Sequence, residues 1–403
     1  MSNPGVQRAR NSNEPRILIA CGAAYCIANI GWWVQPAIVN EVIARFHVGE
    51  IRAGLIASME MTAIAIGSVS FARLLQRISL RRIGFVGIVI ALLGAAWSSV
   101  AQLYDGLLIS RAVVGLGEGA ALAVATAGIA NFRDPDRAYG KINIAAILFG
   151  SLSFLLLGAT ASIFGQSHNV FPTILGGMAL LSPLLWLVPS YVLKLTSDAN
   201  GRRSRVASPT GALAALAVAV FIVGVTSGAM WSFYFILGMR AGLADGAINT
   251  TVTASVLLSV LGAGLATLIG TKFGRFLPVT FGILALTIAI ASISLWHNPL
   301  VFTAGACLNV AGMYFLVPYF FAYAAAQDPS GRNAATIGGV FLLTGAAGPY
   351  FGGYIIQEFD VSSMAPIVVV ANAVAWLLFV AVRRLQDSRG SLVNESTIDP
   401  GSA

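Results

Sequence analysis

The sequence predicts an all-α membrane protein of twelve transmembrane helices arranged as two six-helix bundles. Three observations carry that expectation. Only 10% of the 403 residues are charged and the mean hydropathy is +0.82, twelve apolar runs follow one another, and the basic residues gather in alternate loops. A soluble chain carries about a quarter charged residues, so most of this surface must face lipid. At roughly 20 apolar residues per span, the length accommodates the dozen.

The runs lie at 17–43, 51–75, 82–102, 106–130, 142–164 and 171–193, then at 211–238, 247–270, 276–296, 299–325, 334–357 and 364–382. The first is long enough to remain in the membrane as a helix and has no short apolar core with a cleavage site. Between the sixth and seventh runs, residues 196–208 (TSDANGRRSRVAS) form the longest polar stretch between spans. The expected organisation is a bundle over 1–195, a linker over 196–209, a second bundle over 210–385 and a polar, disordered tail over 386–403.

One set of loops and both termini hold Arg8, Arg10 and Arg16; Arg73, Arg77, Arg81 and Arg82; Arg133, Arg137 and Lys141; Lys194, Arg202, Arg203 and Arg205; Lys272 and Arg275; Arg332; and Arg383, Arg384 and Arg389. The opposite set holds only Arg45, Arg52 and Arg240. The positive-inside rule then puts both termini and the central loop in the cytoplasm, which requires an even number of spans. The expected location is a bacterial inner membrane. The net charge of +8 is a topogenic signal on this reading, and no nucleic-acid partner is expected. Cys21, Cys26 and Cys307 lie inside apolar runs without metal-binding spacing and read as packing residues. The two halves echo each other weakly: 72–81 (ARLLQRISLR) follows the second run and 266–275 (ATLIGTKFGR) ends the eighth. Parallel six-helix repeats are one known transporter architecture.

The fourth run carries Arg111, Gly115, Gly117, Glu118 and Gly119 as RxxxGxGEG. A charge at mid-span costs about 2.5–3.5 kcal/mol on insertion scales, so such groups pair or face a watery cavity. Arg111, Gly115 and Glu118 are spaced i, i+4, i+7 and share one helix face. At 1.5 Å per residue, Arg111 lies about 9 Å and Glu118 about 20 Å from the outer end. That separation is too long for a direct bond, whereas one solute can touch both. The alternative is structural: each charge bonds polar groups of adjacent helices. The glycines let a neighbouring backbone approach closely.

This run resembles the helix-4 signature of the major facilitator superfamily, in the form seen in its anion:cation symporters and Spinster-like members. The twelve spans, the six-plus-six division and the cytoplasmic central loop are similar to the same superfamily along essentially the whole chain. The resemblance implies that Arg111 and Glu118 line a central cavity and serve anion binding and proton coupling. Two departures stand out. The loop after the second run has Gln76 and Ser79 where the superfamily's GxLxDRxGRR pattern has an acid and a glycine, and the first run lacks the aspartate common in anion:cation symporters.

Glu60, within Ser58-Met59-Glu60-Met61-Thr62, is a second intramembrane acid, about 15 Å from the outer end of its helix. It is a second protonatable group, or a protonated side chain bonded to a neighbour, or the partner of Arg111. His47, His168 and His297 all fall in outer loops or at span ends, so proton coupling falls to carboxyls, Glu118 first and Glu60 second. The superfamily lines its cavity mainly with helices 1, 4, 7 and 10. Matching residues here are Trp32, Trp33 and Gln35; Trp231 and Tyr234; and Asn309, Tyr314 and Tyr319. As a set they favour an amphipathic or aromatic anion, although each aromatic alone suits packing or interfacial anchoring. Gly345 to Gly353 (GAAGPYFGG) looks like the GPxxGG motif of drug/proton antiporters but lies in the eleventh run, where a kink and close packing account for it.

No GxxxxGK(S/T) phosphate loop, HExxH, GxSxG or Cys/His cluster occurs, so neither an enzyme nor a cofactor is expected. The function expected is proton-coupled transport of a small organic anion by alternating access, the aromatic carboxylates included, by a monomer that interacts with substrate, protons and the lipid bilayer. The alternatives are an efflux antiporter for amphipathic compounds or drugs, a lipid transporter, and a transporter-derived sensor.

Overall fold

The computed structural model describes residues 4–165, 168–190, 211–327 and 332–396. Among the described residues, fourteen α-helices make up twelve candidate spans. The first span holds α1 (Pro4–Trp33) and α2 (Gln35–Phe46), and the next four are α3 (Glu50–Leu74), α4 (Leu80–Val100), α5 (Tyr104–Ile129) and α6 (Pro135–Phe164). Helix α7 (Val170–Leu181) and a 3-10 turn (Ser182–Leu187) form the sixth. The seventh holds α8 (Gly211–Ser232) and α9 (Tyr234–Arg240). The rest are α10 (Asp245–Ile269), α11 (Phe276–Leu295), α12 (Pro299–Gln327), α13 (Arg332–Phe359) and α14 (Met364–Ser396). No β-strand occurs among the described residues.

The surface has the character of a membrane protein. Leu93, Ile163, Leu180, Leu268 and Val370 project from their spans at least 64% exposed. In water such a face drives association, whereas hydrocarbon accepts it. Helices leave few backbone groups unpaired along the span, which a lipid environment demands.

Four expectations change. The run at 17–43 is two helices, broken at Val34 (φ −95°, ψ 12°). Pro36 lacks an N–H, so the Trp32 carbonyl four residues before it cannot be paired within the helix. The run at 211–238 breaks in the same way at Phe233 (φ −109°, ψ 15°), here without a proline. The sixth span ends at Leu187, short of 193, because Pro183 tightens its last turn into a 3-10 helix before Val188 becomes extended. Helix continues to Ser396 through the start of the expected tail, where no proline interrupts it. The linker expected at 196–209 and residues 397–403 lie outside the described residues.

Within the first half, α3 and α4 pack on α5; within the second, α10 and α11 pack on α12, and α13 and α14 on α8. The halves meet where α3 lies against α13 and α6 against α10. The end carrying Arg73, Arg133, Lys272 and Arg332 is called the basic end below, and the opposite one the charge-poor end. Among the described residues, four hydrogen bonds cross between the halves at positions between the charge-poor end and mid-span. Ile51 N–H donates to Gln357 Oε1 (3.0 Å) and Tyr350 N–H to Ser58 Oγ (3.1 Å). Trp231 Nε1–H donates to the Trp32 carbonyl (3.2 Å), and Ser232 Oγ lies 3.0 Å from Gln35 Oε1. None joins the halves at the basic end among the described residues. At the closed seam a Cβ on Gly54 would collide with the Pro349 carbonyl, and one on Gly353 with that of Glu50. The glycines of α13, in the eleventh run, thus serve close packing, as the sequence leads one to expect.

Candidate functional site

The glycines of α5 determine what its charges meet. A Cβ at Gly115 would strike the Glu60 carbonyl, and one at Gly119 the Ile64 carbonyl, both on α3. Gly117, on the other side, faces Gly87 and Ala91 of α4. With no side chains between the backbones, α3 and α5 come close enough for Glu60 to reach Arg111. From the charge-poor end, Arg111 lies at a depth of about 10 Å, Glu60 about 15 Å and Glu118 about 21 Å.

Arg111 Nε donates to Glu60 Oε2 (3.1 Å) and Nη2 to Oε1, a two-point ion pair in which both residues are fully buried. The guanidinium sits 5.5 Å from the Phe171 ring centroid, and its Nη1 has no hydrogen-bond partner. Glu60 packs against Gly31 of α1, where a Cβ would collide with its carboxylate. Glu118 is also fully buried, and neither of its oxygens has a hydrogen-bond partner of acceptable geometry. The charges that act on it are those of Glu60 and Arg111. Of the three roles open to Glu60, the geometry supplies the pair with Arg111. Between Arg111 and Glu118, where a solute was expected, stands the Glu60 carboxylate.

The other candidates divide into two groups. Trp32, Gln35 and Trp231 meet across the halves through the bonds described above, and Gln35 Nε2 is left buried and unpartnered. Ser232 has one proton and two acceptors, Gln35 Oε1 and the Gly228 carbonyl (2.7 Å); exchanging the amide's O and N would satisfy both. Trp33 stacks on Tyr314 of the opposite half with centroids 5.9 Å apart and planes at 17°, and Gly150 leaves room for its indole. Tyr234 and Asn309, by contrast, bond within their own half. Asn309 Nδ2 donates to Tyr234 Oη (2.8 Å), Ser227 Oγ donates to Asn309 Oδ1 (3.1 Å), and Tyr234 Oη lies 3.3 Å from the Ala306 carbonyl. They brace α8, α9 and α12 together and present no free polar atom to a solute in this conformation. Tyr319 likewise bonds the Gly270 carbonyl (3.2 Å).

Glu41 and Arg45 form a second buried charged cluster, which charge sorting and motif spacing do not single out. Glu41 is buried and accepts the Val170 N–H at the start of α7 (2.7 Å). Arg45 lies 3.5 Å from Glu41 and donates to the carbonyls of Ser98, Ser99 and Ala101, where α4 ends. Its guanidinium is 6.0 Å from the Phe171 ring that also meets Arg111. The i, i+4 spacing of an acid and a base where the first apolar run ends is the available signal. Among the described residues no three His, Cys, Asp or Glu come together as a metal site.

Comparison with known families agrees with this architecture. The model of the Major Facilitator Superfamily matches residues 21–338. The chain belongs to the major facilitator superfamily. No curated protein matches it in sequence, but solved members of the superfamily share its fold. A mutant form of the nucleoside transporter NupG superposes with a TM-score of 0.74 at 11% identity, covering 92% of this chain and 99% of that one. A POT family transporter in complex with 5-aminolevulinic acid gives 0.73 at 16%, covering 91% and 96%. A bacterial homologue of the human lysosomal transporter Spinster, inward-facing and unoccupied, gives 0.64 at 17%, covering 92% and 94%. This superfamily member is therefore a multi-pass membrane transporter with twelve spans in the superfamily's fold.

Proposed function

We propose that the protein is a proton-coupled secondary transporter of small organic anions in which substrate and Glu60 compete for Arg111. The observation that carries this reading is the fully buried Arg111–Glu60 pair with the unpartnered Glu118 beside it. Arginine keeps its charge under all conditions and matches a carboxylate at two points. An incoming substrate carboxylate takes that position and releases Glu60. An ionised carboxylate left unpaired in the interior costs several kcal/mol, so the released group takes up a proton. Each anion loaded is thereby accompanied by one proton. Glu118, which has no ion pair of its own and lies beside Glu60, is the station through which that proton enters and leaves.

With the basic loops in the cytoplasm, as the positive-inside rule requires, the closed seam faces outward. Trp33, Tyr314 and Trp231, which meet where the first span packs on the second half, suit a substrate with a flat apolar part, such as an aromatic carboxylate. One observation favours a second reading, efflux of cationic amphipaths: Glu60 already neutralises Arg111, so Glu118 is the group left to ionise against an incoming cation.

Reconstituted protein under an inward proton gradient separates the two. Labelled carboxylates accumulate on the first reading, and quaternary amines leave against the gradient on the second. Flux of neither, or carboxylate flux indifferent to the gradient, overturns proton-coupled anion transport. Glu118→Gln is expected to reduce accumulation to the equilibrium level while preserving exchange of labelled for unlabelled substrate. Full accumulation by that variant removes Glu118 from the proton path.

A further inference from the structure

Helices α10 and α11 follow one another in the chain, yet each packs on α12 and scarcely on the other. The crevice between them has a volume of about 440 Å³ and opens on the outer surface of the bundle. Leu258 and Leu265 of α10 and Phe281 of α11 wall it, and Cys307, Ala311 and Gly312 of α12 form its floor. Its lining is apolar apart from the Cys307 thiol. Apolar cavities stay dry, and at this depth in the membrane the available occupant is hydrocarbon.

The crevice has a polar neighbour at one end. The turn over 270–275 (GTKFGR) joins α10 to α11 at the basic end and carries Lys272 and Arg275 with no acid. Lys272 is exposed, and Arg275 Nε is buried without a hydrogen-bond partner. Leu265 stands four residues before the last residue of α10 and Phe281 six after Arg275, so the apolar lining begins about 6–9 Å from the turn. A phosphate at the membrane surface and the first carbons of its acyl chain span such a distance. We propose that this crevice is a binding site for an anionic phospholipid, with the headgroup phosphate against Lys272 and Arg275 and one acyl chain between α10 and α11. Basic pockets between transmembrane helices bind acidic headgroups by the same charge complementarity. The proposal does not depend on what the protein transports.

Cys307 on the crevice floor is partly exposed, while Cys21 and Cys26 are buried, so the chain carries its own reporter. The full-length protein in dodecyl maltoside is titrated with dioleoyl-phosphatidylglycerol while N-ethylmaleimide modification of Cys307 is followed, with Cys307→Ser as the blank. Modification slows about tenfold at a lipid concentration ten times its Kd. Dioleoyl-phosphatidylcholine and the short-chain dihexanoyl-phosphatidylglycerol protect much less, because each lacks one half of the match. Lys272→Gln with Arg275→Gln reduces protection by dioleoyl-phosphatidylglycerol to the phosphatidylcholine level. Equal protection by the two dioleoyl lipids, or a double variant that keeps the preference, overturns the headgroup assignment. Ala285 of α11 also lines the crevice, so Ala285→Phe fills it and abolishes the rise in unfolding temperature that dioleoyl-phosphatidylglycerol produces in the parent protein. A full rise in that variant overturns the acyl-chain assignment.

Discussion

Arg111→Leu is expected to destabilise the first half by about 3–5 kcal/mol, because it leaves Glu60 buried with no opposite charge. For a unit of this size that corresponds to a fall of roughly 6–20 °C in the unfolding midpoint, measurable in detergent together with a loss of folded yield. Glu60→Leu has a similar effect for the mirror reason: it leaves a guanidinium that cannot lose its charge. The double variant Arg111→Leu/Glu60→Leu recovers most of the loss, since replacing a buried pair with apolar groups of similar volume is often neutral or better. It transports nothing, because no cation remains to hold an anion. This combination of restored stability and absent flux separates a functional pair from a structural one. A double variant as unstable as either single one refutes the pairing energetics. A double variant that still transports refutes the role of Arg111.

The second large effect is expected at the seam between the halves. Gly54→Leu places a side chain against the Pro349 carbonyl, and both partners are helix backbone, with no flexible end to move aside. A penalty of about 3 kcal/mol, at the upper end for overpacking, shifts the balance between closed and open seams roughly 100-fold. Transport falls accordingly, while each half retains its own packing and the protein stays folded. The conformational shift is read directly from Ser58→Cys in a background lacking Cys21, Cys26 and Cys307. Ser58 is buried under the seam when the halves meet, so its cysteine reacts with a membrane-impermeant maleimide only when that end opens. Faster labelling with lost flux supports the seam as a gate. Unchanged labelling with normal flux refutes it.

The number of spans and their approximate limits were legible in the sequence because each span is a long apolar run, and lipid permits few alternatives for such a run. The breaks at Val34 and Phe233 were not, since hydropathy is indifferent to a single residue leaving helical geometry. Pro36 signalled the first break, but nothing in the residue types signalled the second. In the site, Arg111 and Glu118 stood out because charge is rare in these spans. Their true relation was hidden, because i, i+7 spacing on one helix does not say which side chain from another helix stands between them. The contact of Gly115 with the Glu60 backbone decides that, and it is a property of two helices. Glu41 escaped notice because it lies near a span end, where an acid is unremarkable until the α7 N-terminus is seen to close over it.

The broken first span also bears on how easily the molecule opens. The Trp32 carbonyl, deprived of a partner by Pro36, is held by the Trp231 indole of the other half. When the halves part, water can take the indole's place, and exchanging one such bond for another costs only about 1 kcal/mol. The latch is therefore weak by design of the backbone, and no side-chain substitution at position 32 removes its acceptor. A chain that restored an ordinary helix there, as Pro36→Ala does, would draw that acceptor back into its own ladder and leave the two halves with one less reason to meet.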